Sequence, residues 1–165
     1  MFLIALRKLW IDSWSLIIKM DYASHTTIHR SDLPVDENGR CCHFDNPHKL
    51  KLHKVSVDNG LISSSKFEKC DYITHWLDSR NKEHVIYIEL KGCDIKKAFS
   101  QVETTILKTK DRFGNSEVRK CIIVCSRVRK PKMDSTVTKL KRKMKELTGT
   151  VPVVCSQQYN YLVNK

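Results

Sequence analysis

Acidic residues are scarce against basic ones: 18 Asp and Glu face 30 Lys and Arg in 165 residues, a formal charge of +12. That imbalance disfavours a cationic partner and favours a polyanion, because lysine and arginine contacts release the counterions condensed on phosphates. A long uncharged run is also missing. The apolar opening from Met1 to Ile18 is broken by Arg7, Lys8 and Asp12, whereas a membrane span needs about 20 mainly apolar residues. It lacks the small-residue cleavage site that ends a secretory signal. There is no C-x-x-C pair, so the seven cysteines do not show common structural-zinc spacing, and an odd number without a signal is poor material for a disulfide framework. These absences point to a reducing, cytoplasmic setting without membrane association. Repeats and low-complexity segments are absent, and a composition 41% hydrophobic and 29% charged suits one ordinary domain with one core.

Periodicity supplies the elements. Phe2, Leu6, Leu9 or Trp10, and Trp14 recur at helical spacing, which predicts an amphipathic helix that packs on the domain or on a second copy. Ser31 to Leu50 contains Pro34, Asn38-Gly39 and Asn46-Pro47, and reads as an irregular connection. Residues 1–50 are therefore expected to be a helix plus an irregular extension, and residues 51–165 the domain proper. Leu52, Val55 and Val57 suggest a strand ending at the turn-forming Asp58-Asn59-Gly60. Cys70 to Leu77 and His84 to Lys91 read as a hairpin across Asp78 to Lys82. From Asp94, a good N-cap, to about Lys108 the period becomes helical, with Ile95, Ala98, Val102 and Ile106 on one face. Val118 to Cys125 is strand-like, with Cys121 and Cys125 sharing a face as buried thiols. Asp134 to Leu147 is a lysine-rich helix ended by Gly149, and Val151 to Cys155 and Tyr159 to Val163 are candidate last strands. This order predicts an α/β fold with a mixed sheet and helices packed against it.

One constellation carries chemistry. Alternation along His84 to Lys91 puts Val85, Tyr87, Glu89 and Lys91 on one face and Ile86, Ile88 and Leu90 on the other. Folding the hairpin about its loop sets Asp71 opposite Leu90, within about one residue of Glu89. Two carboxylates and an amine should meet at one strand end, with Gly92 permitting a sharp exit. Such a set can hold Mg²⁺ or Mn²⁺, which retains waters and takes substrate phosphate to complete its shell. The ion would activate a water, and Lys91 would steady the charge that grows on phosphorus.

Cys70-Asp71-Tyr72, followed by Ile86-Tyr87-Ile88-Glu89-Leu90-Lys91-Gly92 and a helix with Ala98 and Gln101, resembles the PD-(D/E)XK nuclease superfamily. That superfamily includes many restriction endonucleases and RecB-like and Holliday-junction nucleases. The resemblance runs from about Val55 to Cys125. It implies a restriction-endonuclease-like αβββαβ core, Asp71 and Glu89 as metal ligands, Lys91 as the catalytic lysine and Gln101 as a supporting polar residue. It also implies hydrolysis of nucleic-acid phosphodiesters, with DNA the expected substrate and RNA left open, by a homodimer or within a larger complex. In RecB-like members a tyrosine often stands four residues after the glutamine; here it is Thr105. No proline marks the approach to Asp71, and the acidic residue often found on the first helix has only Asp58 or Asp12 as candidates.

Arg127, Arg129, Lys130, Lys132, Lys139, Arg142 and Lys143 form the expected phosphate-contact surface, whose bland alternative is a solubilising face. Two other readings stay open at this stage. One is a catalytically silent relative that only binds nucleic acid or a partner. The other is a zinc-stabilised basic binding protein, with Cys41, Cys42, His43, His48 and His53 as the crowded candidate ligands.

Overall fold

The computed structural model describes residues 20–92, 94–127 and 135–165. The expected N-terminal helix, with Asp12, and the basic residues Arg129, Lys130 and Lys132 lie outside the described residues. A 3₁₀ turn, Ala23–His25, leads into strands β1 (Thr26–His29), β2 (Leu33–Glu37), β3 (Arg40–Asp45), β4 (Leu52–Ser56), β5 (Tyr72–Leu77) and β6 (Glu83–Lys91). Helices α1 (Ile95–Lys108) and α2 (Lys110–Phe113) precede β7 (Val118–Cys125). Helix α3 (Ser135–Thr148) and strands β8 (Val153–Ser156) and β9 (Gln158–Leu162) follow.

The large sheet has the order β1-β4-β5-β6-β7-β8, antiparallel from β1 to β6 and parallel across β6, β7 and β8. The expected α/β class with a mixed sheet is what forms. β6 lies at its centre and is buried on both faces, which explains its nearly unbroken apolar run. Val85 and Tyr87 join one core cluster with Val55, Ile73, Phe99, Val102, Ile123 and Met144, so α1 and α3 cover that face. Ile86, Ile88 and Leu90 join the other, with Leu33, Phe44, Trp76, Ile122 and Tyr161.

That second cluster is covered by a feature absent from the sequence reading. Ser31 to Leu50 is not irregular: β2 and β3 pair antiparallel, and β9 adds parallel to β3 to make a three-stranded sheet. Leu33 and Val35 alternate toward the core from one strand, Cys42 and Phe44 from the other. Asn38 and Gly39 both take positive φ, 49° and 76°, and close the tight hairpin that such a dipeptide favours. Pro34 is tolerated because β2 is an edge strand, where a missing N–H costs no ladder bond. Phe44 meets Trp76 edge-on at 6.3 Å between ring centroids and locks the two sheets together.

Asp94 caps α1 as expected, its carboxylate accepting from the Lys97 amide at 2.9 Å. The β5–β6 hairpin pairs Leu77 with Glu83 and Tyr72 with Ile88. Continued one step, this register sets Asp71 opposite Glu89 rather than Leu90, a shift of one residue. The loop is pinned by Asp78, whose Oδ1 accepts from the amides of Arg80 at 2.8 Å and Lys82 at 2.9 Å. Among the described residues no helix is long and apolar enough to cross a membrane.

Candidate active site

The ends of β4, β6 and β7, the start of β5 and the β2–β3 turn all lie at one end of the large sheet. Asp71 stands at the bend just before β5, half-buried, and its Oδ2 accepts from the Leu90 amide on β6 at 2.6 Å. That bond ties the acid to the strand that carries its companion. Glu89 faces the helix side with Val85 and Tyr87, and is only 1% exposed. Lys91 Nζ lies 3.7 Å from Glu89 Oε1. The three residues anticipated to converge do so, although the ammonium stands beyond ordinary hydrogen-bond length.

The electrostatics of the pair are unusual for surface-end carboxylates. Burial raises the Glu89 carboxyl to about 8, the negative charge of Asp71 adds to the effect, and Lys91 only partly opposes it. Burial likewise raises Asp71 to about 6, against the pull of the Leu90 amide, with Glu37 and Asp58 pushing further upward. One ammonium at 3.7 Å thus fails to offset the desolvation of Glu89. Glu89 Oε2 is buried without any hydrogen-bond partner. A buried carboxylate oxygen with no donor is costly unless something cationic completes it.

Beside Asp71 opens a cleft of ≈ 130 Å³ lined by Glu37, Ser56, Asp58, Asn59, Asp71 and Tyr72. Asp58 is positioned by the turn after β4, where the Leu61 amide bonds the Ser56 carbonyl at 3.0 Å. Gly60 is required there, since a Cβ would run into the Ser56 carbonyl oxygen. Lys69 Nζ bridges Asp58 Oδ1 at 3.3 Å and the Ser64 carbonyl at 3.1 Å.

Gln101 does not reach the carboxylates. Its Nε2 donates to the Lys69 carbonyl at 2.8 Å, and its Oε1 is buried without a partner. One turn on, Thr105 Oγ1 accepts from the Cys70 amide at 2.9 Å while donating to the Gln101 carbonyl at 2.9 Å. Helix α1 therefore grips the two residues immediately before Asp71 with two side chains. Thr105, noted in the sequence only as a departure from a tyrosine, holds backbone at this point.

Sequence reasoning missed Glu37, Lys69 and the part played by Thr105, and named Asp58 only as one of two candidates. For Glu37 the signal existed: Asn38-Gly39 between alternating apolar residues marks a hairpin, and a hairpin there swings Glu37 to the sheet end. Lys69 and Thr105 carry no signal a single sequence would reveal.

The other candidates are dispersed. Cys42 is buried, and burial raises both its thiol and that of Cys41. His53 stacks on His75 with centroids 4.8 Å apart, and His43 Nε2 approaches Asp45 Oδ1 at 3.2 Å. The cysteines and histidines suggested for zinc are not gathered; among the described residues Asp32, His43 and Asp45 are the group with metal-ligand spacing. Cys121 and Cys125 are buried on the helix-facing side as anticipated. Of the basic residues, Arg127, Lys139 and Arg142 are exposed, whereas Lys143 pairs with Glu103 on α1 at 2.6 Å.

Compared with known proteins, the chain matches no family model, no curated protein and no solved structure.

Proposed function

We propose that the chain is a divalent-metal-dependent nuclease that hydrolyses nucleic-acid phosphodiesters at Asp71, Glu89 and Lys91. The observation that carries this reading is the pair of opposed, burial-raised carboxylates at one sheet end, with Glu89 Oε2 lacking any partner and Lys91 3.7 Å away. The donor set is all oxygen, which fits a hard cation such as Mg²⁺ or Mn²⁺ and not a thiolate-seeking one. Asp71 and Glu89 would hold the ion; when bound it polarises the scissile phosphate and makes a water acidic enough to attack. Element order supports the finer fold assignment: β4-β5-β6 antiparallel, then α1, then β7 parallel to β6, as in a restriction-endonuclease-like core.

The protein's own groups have separable roles. Asp71, anchored through Oδ2, keeps its other oxygen for a ligand. Glu89 must lose its proton before it can coordinate, so the site favours neutral to alkaline conditions. The Lys91 ammonium, on the same face, stabilises negative charge developing at phosphorus. Gln101 and Thr105 act through the backbone of residues 69 and 70, as positioning groups. A covalent nucleophile is not required, and burial raises the nearby Cys70 thiol far from the reactive thiolate.

The test is cleavage of supercoiled, linear and branched DNA and of RNA by purified protein in Mg²⁺, Mn²⁺ or EDTA. Metal-dependent cutting abolished by Asp71→Asn and by Lys91→Ala, with folding intact, is the expected result. Cleavage unchanged in either variant would remove the mechanism, and binding without cleavage by the wild type would make the chain a non-catalytic binding module.

A further inference from the structure

Arg40 opens β3 directly across the hairpin from Glu37, which lines the cleft beside Asp71. On its other side the guanidinium Nη1 donates to Ser126 Oγ at 3.0 Å. Ser126 follows β7, and its amide bonds the carbonyls of Lys91 at 3.1 Å and Gly92 at 2.9 Å. The hairpin pairing and this one side-chain bond set Arg40 between the turn that carries Glu37 and the residue after β7 whose amide is tied to the end of β6. None of the ion pairs among the described residues involves Arg40. Its Nε is buried with no hydrogen-bond partner.

A guanidinium fixed through one nitrogen, with donors left over and no carboxylate to neutralise it, is arranged to receive an anion. The carboxyl ends of parallel strands are also where open α/β sheets take their ligands. We propose that Arg40, steadied by Ser126, binds a backbone phosphate of the nucleic-acid strand next to the scissile bond. This deepens the nuclease reading and rests on it: Asp71 and Glu89 act on one phosphate while Arg40 holds a neighbour. It also gives the three-stranded sheet a task beyond covering the core, since β3 is the strand that delivers Arg40. Ser126, already accepting from Arg40, still has its own hydroxyl proton to offer the same phosphate.

Binding of a fluorescent oligonucleotide in EDTA, measured by anisotropy from about 50 to 200 mM salt, reads this contact without any cleavage. Arg40→Gln should weaken binding about five- to tenfold and lower the salt slope by about one. Arg40→Lys, which keeps the charge but not the fork, should restore the slope and only part of the affinity. Oligonucleotides carrying one neutral methylphosphonate, moved stepwise along the strand, should show one position that weakens the wild type and leaves Arg40→Gln unaffected. Ser126→Ala leaves β3 untouched and should weaken binding about two- to threefold. If Arg40→Gln melts normally and binds with wild-type affinity and slope, while the wild type still cuts in Mg²⁺, the phosphate contact is refuted and the nuclease reading stands. If Arg40→Gln does not fold, unchanged binding by Ser126→Ala and Arg40→Lys overturns it equally. A wild type that neither binds nor cuts removes both.

Discussion

The raised proton affinity of Glu89 makes a quantitative prediction about stability in the metal-free protein. Its carboxyl moves from an ordinary 4.5 to about 8 on folding. The folded state therefore holds a proton that the unfolded state has released between those values, and by linkage stability falls as pH rises through that window. Each tenfold change in proton affinity is worth about 1.4 kcal/mol, so the ionised Glu89 destabilises the fold by about 5 kcal/mol at most above pH 8. Glu89→Gln removes that ionisation while keeping the shape. It places an amide N–H₂ where the carboxylate oxygen is buried without a hydrogen-bond partner, a cost of about 1–3 kcal/mol at every pH. The variant should then be about 2–4 kcal/mol more stable than wild type at pH 9, and between equal to it and about 2 kcal/mol less stable at pH 5. For a chain of this length that is a Tm gain of about 5–10 °C at the alkaline end.

Thermal melts of both proteins in EDTA, from pH 5 to pH 9, measure the difference directly. Adding Mg²⁺ at pH 8 should restore stability to the wild type, by about 2.7 kcal/mol at a hundredfold excess over Kd, and leave the variant unmoved. A variant that is less stable by the same amount at both ends of the range would refute the argument. Such a result would mean that Glu89 is not ionised against a desolvation penalty and has no need of a cation.

Thr105→Val keeps the volume but deprives the buried Cys70 amide of its acceptor, so a loss of about 1–3 kcal/mol is expected, with faster amide hydrogen exchange at Cys70 and reduced cleavage. Gly60→Ala forces the turn after β4 away from the Ser56 carbonyl and shifts Asp58; the expected signature is weaker Mg²⁺ binding by calorimetry alongside a drop in Tm. His75, buried between His53 and Glu83 and pushed down to about 4, is held neutral in the fold. Since the unfolded imidazole protonates near pH 6.5 and the folded one only near 4, its contribution is complete above 6.5 and lost as pH falls toward 4. His75→Phe should flatten the acid limb of a stability–pH curve, and an unchanged limb would show that His75 is not its source.

How far the sequence reveals the site depends on which contacts are local. Glu89, Lys91 and Asp94 follow from alternation along a single strand and from one cap, and Asp71 follows from a hairpin whose loop is visible as Asp78 to Lys82. The one-residue slip in register reflects a loop centred on Arg80, which Asp78 enforces with bonds to the amides on both sides of Asn81. Both contributions are short-range. Glu37 and Arg40 are different: they reach the site because β3 pairs with β9, more than a hundred residues later in the chain, and that pairing hides the apolar faces of Phe44 and Tyr161 on the same patch of the large sheet. Proline and asparagine-rich punctuation made the segment look like a connector, while the alternation of Leu33, Val35, Cys42 and Phe44 was too short to outweigh it alone. The consequence bears on the electrostatics, because the tip of that hairpin carries two opposite charges that face each other across the turn. Glu37 adds to the negative field that raises Asp71, and Arg40 bonds Ser126, whose amide is tied to the Lys91 carbonyl. A strand segment recruited over such a sequence distance thus adds one charge of each sign to the sheet end where Asp71 and Glu89 meet.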